Sequence, residues 1–164
     1  MTVHATRGWF KGTGGLYVGH CHVWQRILAS VAADRRESMP RHHFSSRLHQ
    51  SAAPFSHYVQ HGNTGYTAGI IGQRSDTGEL VSTDAAQQCD AMLTNLQILL
   101  DEQGLTLKDL LRTTVYLTDY RDFDAINAVY ASRLSEPYPV RSTLQVAALP
   151  LGAKVQIDTV VAAS

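Results

Sequence analysis

The sequence predicts an α+β two-layer domain, a mixed sheet with two helices packed on one face. Three observations lead there. From residue 54 onward the apolar periodicity alternates between strand and helix in the order β-β-α-β-α-β-β. Each strand–helix–strand passage calls for a right-handed crossover, which makes part of the sheet parallel. The 164 residues are 44% hydrophobic and 17% charged, enough apolar material for one sizeable core. That composition excludes a disordered chain, a coiled coil and a collagen-like repeat. No apolar run approaches the 18 or so residues of a membrane span.

The elements follow from residue chemistry. Tyr58–His61 and Gly65–Ile71 read as two strands turning at Gly62 and Asn63, and Asp76-Thr77-Gly78 reads as a turn. A helix over 84–103 places Ala85, Cys89, Met92, Leu93, Leu96, Leu99 and Leu100 on one face. Thr83 is its expected cap, Asp84 suits the positive end of the helix dipole, and Gly104 is its expected stop. Residues 111–118 are β-branched and read as a strand with a buried face. A second helix over 122–134 groups Phe123, Ile126, Asn127, Tyr130 and Leu134, with Asp119 or Asp122 as cap and Pro137 as stop. Strands over 140–147 and 154–161, joined through 149–152, complete the order. Helices on one face leave the other bare, and self-association is the natural cover.

Residues 1–53 read differently. They carry seven basic residues against two acidic ones, a net of +5, whereas residues 54–164 carry seven against twelve, a net of −5. All eight histidines lie at or before His61. The segment is therefore expected to be a basic, histidine-rich and poorly ordered extension to a domain spanning 54–164. Residues 23–33 form at most a short helix, with Val23, Ile27 and Val31 on one face, stopped by Arg35, Arg36 and Pro40. His20-Cys21-His22 resembles a metal-binding tripeptide, but no second ligand pair stands at a recognisable spacing, so no metal is expected. Met39 is an alternative start for translation, which would make residues 1–38 an appendage. Two cysteines make no disulfide framework, and no secretory signal is visible, so a reduced cytoplasmic setting is expected.

Several segments in order resemble the RidA family, also called YjgF or the L-PSP endoribonuclease family. They are the opening from Pro54-Phe55-Ser56-His57 to Gly69, the run 113–119, the run 122–130, and Pro139-Val140-Arg141-Ser142-Thr143 leading into 146–150. The resemblance covers residues 54–162. It implies a chorismate-mutase-like subunit, a homotrimer with active clefts between subunits, and no cofactor. The implied activity is hydrolysis of reactive enamines and imines, such as 2-aminoacrylate, to a keto acid and ammonia.

On that resemblance Arg141 grips the substrate carboxylate. The chemistry suits it, because a guanidinium offers a planar fork and keeps its charge when desolvated. Arg141 is also the lone charge in residues 140–153. The residue pattern alone leaves a ligand role and an intersubunit salt bridge to Asp119 or Asp158 equally open. The resemblance further implies Gln156 and Thr143 as catalytic positions and Phe55, Asn127 and Gly69 as substrate-binding ones. Four positions depart from the family pattern. Gln156 stands where active deaminases commonly have a glutamate, and an amide orients water but accepts no proton. Phe55 lacks the usual hydroxyl, Thr143 replaces a common cysteine, and Ala68 a common serine. The backbone N–H of Thr143 can still polarise a substrate. Asp158, on the same strand face as Gln156, is a substitute base or a salt-bridge partner.

Two other readings compete with the deaminase. A non-catalytic trimer binding a small carboxylate fits the missing acid. A ribonuclease or translation inhibitor fits the older family name, but nucleic acid binding needs a basic footprint and the domain is net acidic.

Overall fold

Strand β7 (Val155–Ala162) lies at the middle of a seven-stranded sheet. The computed structural model of the protein describes Arg26 and residues 39–163. Along the sheet the order is β1 (Arg41–His43), β2 (Tyr58–His61), β3 (Thr64–Thr67), β7, β5 (Leu110–Leu117) and β6 (Val140–Gln145), with the two-residue β4 (Ile70–Ile71) also paired to β7. Only β5 and β6 run parallel, joined by helix α2 (Phe123–Arg133) as an adjacent crossover unit. Helix α1 (Ala85–Asp101) connects β4 to β5, and β7 inserts antiparallel between β3 and β5. The expected α+β architecture, with a mixed sheet and two helices on one face, is what the chain forms.

The core lies between the sheet and the helices. Cys89, Met92, Leu93, Leu96, Leu99 and Leu100 of α1 are fully buried, as are Leu117, Val155, Ile157 and Val161 of the sheet. Alternation along β7 divides its side chains. Val155, Ile157, Thr159 and Val161 enter the core, and Gln156, Asp158 and Val160 point to the opposite face. Tyr66, Val140 and Leu144 also stand on that opposite face by register and are exposed. Cys89 points its thiol toward the Ile126 carbonyl at 3.8 Å, and burial pushes its pKa up to about 12.

Two local expectations are corrected, the cap of α1 and the continuous strand over 65–71, while the stop at Gly104 holds. Asp84, not Thr83, caps α1, its carboxylate accepting from Gln87 N–H at 2.9 Å. Gly104, at φ +71°, follows the helix and returns its N–H to the Asp101 carbonyl at 3.0 Å. Asp119 caps a turn of 3-10 helix at Tyr120–Asp122, which leads into α2. The strand expected over 65–71 is interrupted at Ala68 and Gly69: Ala68 N–H still bonds the His57 carbonyl, one step beyond the Tyr58–Thr67 pair, but the register against β7 slips by one residue before β4.

The larger correction concerns the N-terminal side. Residues 41–43 pair with Gln60, Val59 and Tyr58, so the sheet begins ahead of residue 54. His43 anchors this strand to Glu102 beyond the end of α1, its ring nitrogen 2.7 Å from the carboxylate. Ser45 is fully buried, its hydroxyl accepts from Arg47 and Leu48 N–H, and Leu48 joins the core. Periodicity missed β1 because three polar residues on a sheet edge bury no alternating face. The short helix expected at 23–33 and the tripeptide His20-Cys21-His22 lie outside the described residues, Arg26 apart. Among the described residues no helix is long and apolar enough to cross a membrane.

Because Leu96 is fully buried at the centre of the core, Leu96→Ala should cost about 2–5 kcal/mol through lost transfer energy and a residual cavity. Urea titration reads this as a lower midpoint with an unchanged slope.

Candidate active site

The residues singled out from sequence fall into two groups on opposite faces of the sheet. The first gathers around β7. Gln156 pairs with Ile71 on one side and Tyr116 on the other, directed away from the helices. Its side chain lies over Gly69, where an added Cβ would come 2.7 Å from the amide carbon. The absence of a side chain at Gly69 thus leaves room for the amide. Phe55, Gly69 and Gln156 line a hollow of about 570 Å³, which His49 and Gln73 also border. Leu151, on the rim, holds a left-handed backbone at φ +58° and is 63% exposed.

Phe55 reaches this hollow from the loop before β2. Its ring stands edge-on to His57 at 5.2 Å, and Phe44 packs 4.9 Å from His57. His57 is buried, and its Nδ1 accepts from Ser45 N–H at 3.0 Å, which places the neutral ring's proton on Nε2. Desolvation, reinforced by nearby His43, holds its pKa below the ordinary histidine value.

The second group lies at the other end of the sheet, on the helix side. Arg141 on β6 pairs with Thr113, whose side chain is buried in the core. The guanidinium lies 4.8 Å from the ring centre of Tyr130 and 5.6 Å from that of Phe123. Tyr130 is fixed by a 2.9 Å hydrogen bond to Thr113, and Phe123 is stacked on Tyr120 at 5.0 Å. Arg141 has no hydrogen-bond or ion-pair partner among the described residues of the chain. Both acids weighed as its partners are engaged elsewhere. Arg121 binds Asp119 and holds that carboxyl down at about 2, and Asp158 accepts from the Tyr116 hydroxyl at 2.7 Å. Arg141, Asn127, Tyr130 and Tyr138 line a hollow of about 270 Å³. Thr143 follows Arg141 on the same face of β6, paired with Val115, and borders neither hollow.

Within one chain, then, the Arg141 guanidinium against its two aromatic rings and the largely apolar hollow with the Gln156 amide on its wall stand apart. Residues 45–163 match the family described as Endoribonuclease L-PSP, and the chain belongs to that family. It is 34% identical over 112 residues to a 2-iminobutanoate/2-iminopropanoate deaminase of Dermatophagoides farinae, covering 68% of this chain and 88% of that one. It is 36% identical over 107 residues to the chloroplastic Reactive Intermediate Deaminase A of Arabidopsis thaliana, covering 65% of this chain but only 57% of that protein. The fold matches that of TdcF from E. coli, solved with bound serine, at a TM-score of 0.71 and 31% identity over 76% of this chain and 99% of that one. Among the relatives of the chain are proteins named as imine deaminases.

Sequence reasoning did not single out His49, Gln73 or Tyr138. His49 and Tyr138 lie in stretches without periodicity, and no motif marks Gln73.

The buried neutral His57 gives a pH signature. The unfolded chain protonates it near the ordinary value of 6.5, whereas the folded chain takes the proton only at lower pH. Between those values the unfolded state binds more protons, so this residue's contribution is present above 6.5 and is lost as pH falls toward its folded pKa. Thermal melts from pH 7.5 to 5 should therefore decline less steeply in His57→Gln, whose amide oxygen can still accept from Ser45 N–H.

Proposed function

We propose that the protein is a deaminase that hydrolyses small 2-imino acids and their enamine tautomers to a 2-keto acid and ammonia, in clefts formed between subunits of a homotrimer. The single observation that carries this reading is the guanidinium of Arg141, cradled by Tyr130 and Phe123 and unpaired among the described residues of its own chain. A partly buried cation without an anion is a standing desolvation cost that a substrate carboxylate offsets. The serine bound to the E. coli relative has the matching carboxylate. The separation of Arg141 from Gln156 supports assembly, since a neighbouring copy can bring one half-site to the other, and the exposed Tyr66, Val140 and Leu144 offer an apolar contact surface.

In this reading Arg141 anchors the carboxylate and Asn127 lies beside it. Thr143 offers its backbone N–H to the substrate. Gln156, held over Gly69, places a water against the imine carbon, and Phe55 closes the far wall. Water adds to the C=N carbon and the resulting carbinolamine loses ammonia. No electron is exchanged, and no metal or cofactor is called for. A protonated imine is already electrophilic, so fixing water and substrate supplies much of the acceleration. The small-carboxylate-binding trimer without turnover is the second reading, favoured by the amide of Gln156, which cannot act as a base.

Arg141→Ala should weaken binding of a small keto acid about ten- to a hundredfold, the worth of a charge-assisted contact of about 1.5–3 kcal/mol, without dissociating the assembly. Arg141→Lys should restore little, lacking the fork. Calorimetric titration with 2-oxobutyrate and light scattering check both. Unchanged affinity in Arg141→Ala would move the anchor elsewhere, and a monomer at micromolar concentration would remove the trimer. Mixing inactive Arg141→Ala with inactive Gly69→Val, whose side chain collides with Gln156, should regain activity in mixed assemblies if the cleft takes one wall from each chain.

Gln156→Glu separates the two readings, because it adds a proton acceptor with almost no change of shape. A weakened deaminase should gain in kcat, up to the ~10²–10⁴-fold worth of a positioned base. Measured at saturating 2-iminobutyrate generated in situ, the absence of turnover in both proteins would leave the binding reading.

A further inference from the structure

The deaminase reading leaves the proton unassigned. Water attacking an imine must give up a proton and the departing nitrogen must gain one. Gln156 can do neither, and Asp158 is occupied by the Tyr116 hydroxyl. Another group on the same hollow has to carry it.

Two histidines border this region. His57 lines a smaller adjoining hollow, but its Nδ1 is committed to Ser45 N–H and its ring is wedged against Phe44 and Phe55. That ring supports the wall. His49 is placed differently. It lines the 570 Å³ hollow together with Gln156, Gly69 and Phe55. Neither of its ring nitrogens has a hydrogen-bond or ion-pair partner among the described residues.

Its position is nonetheless fixed from both sides. Ser45 caps the turn that precedes it, and the Gln50 amide closes that turn by donating to the Ser45 and Leu48 carbonyls, each at 2.7 Å. Leu48, next to His49, is anchored in the core. On the far side the imidazole lies flat against Gly78, where an added Cβ would come 2.5–2.9 Å from Cε1, Nε2 and Nδ1. Gly78 sits at φ +77° in a turn whose N–H bonds the Arg74 carbonyl at 3.1 Å. Only a residue without a side chain both adopts that backbone readily and admits the ring.

We propose that His49 is the proton-transfer residue of this chain, standing in for the carboxylate missing at Gln156; the inference rests on the deaminase reading. The balance is simple. Gln156 orients the water, and His49 takes one of its protons as the C–O bond forms on the protonated imine and the C=N π electrons move to nitrogen. His49 returns that proton to the nitrogen of the carbinolamine. As the C–N bond breaks, an oxygen lone pair closes the C=O bond and the hydroxyl proton passes to His49, which hands it to the departing ammonia. Ammonium and the keto acid leave, and the imidazole is neutral again. Imidazole is suited to both halves, because it exchanges protons near neutrality.

The experiment measures ammonia release at saturating 2-iminobutyrate for wild type, His49→Gln and His49→Ala, each also combined with Gln156→Glu. With Gln156 present, His49→Gln should lower kcat by ~10²–10⁴-fold with little change in KM. Added imidazole should restore part of the loss in His49→Ala. In the Gln156→Glu background, where the new carboxylate supplies the base, the same His49 substitutions should cost no more than about threefold. A His49→Gln protein that keeps its fold and holds kcat within about threefold of wild type overturns the inference and leaves the deaminase reading intact. Equal losses in both backgrounds without imidazole rescue overturn it too, as a purely structural role. A wild type without turnover removes the deaminase reading itself, and this inference with it.

Discussion

One strand has to serve two faces, and the rest of the molecule is arranged around that constraint. β7 is hydrogen-bonded to β3, β4 and β5, so it cannot shift without breaking three pairings. Its period of two then distributes chemistry strictly. A slip of one residue would drive Gln156 and Asp158 into a core closed by Leu93, Leu96 and Leu100, and would expel Ile157 and Val161. Stability and the polar wall of the hollow are therefore specified by the same register. The buried face of α1, apolar apart from Gln88, holds that register in place.

The same logic explains why Arg141 and Gln156 lie on opposite faces of the sheet. β5 pairs with β7 and β6 pairs with β5, and the faces match at each step. Arg141 follows Thr113 and Thr159 toward the helices, and Gln156 follows Tyr116 away from them. No side-chain rotation moves either residue through a hydrogen-bonded sheet. The gap between them is a property of the strand register.

Much of this was legible in the sequence. The leucine face of α1 and the alternation in β5 and β7 are strong periodic signals, because each buries an apolar stripe. Arg141 and Gln156 were found through resemblance to a family rather than by pattern, yet the offset in register that separates them only becomes apparent once β6 is known to pair with β5. β1 was missed because it is short, polar and at an edge. The interruption at Ala68–Gly69 was missed because the register slip that accompanies it is against β7, far away in sequence. His49 gave no signal at all. Its placement depends on a serine cap, a glutamine clasp and a glycine in a separate turn, none of which has a period.

The burial of Cys89 has a practical side. A thiol with its pKa pushed to about 12 and no exposed surface is almost entirely uncharged at neutral pH, and alkylating reagents attack thiolates. It is the single cysteine among the described residues. A cysteine placed on the surface of this domain would therefore react far ahead of it, so with Cys21 replaced a spectroscopic label could be attached at a chosen position without first redesigning the core.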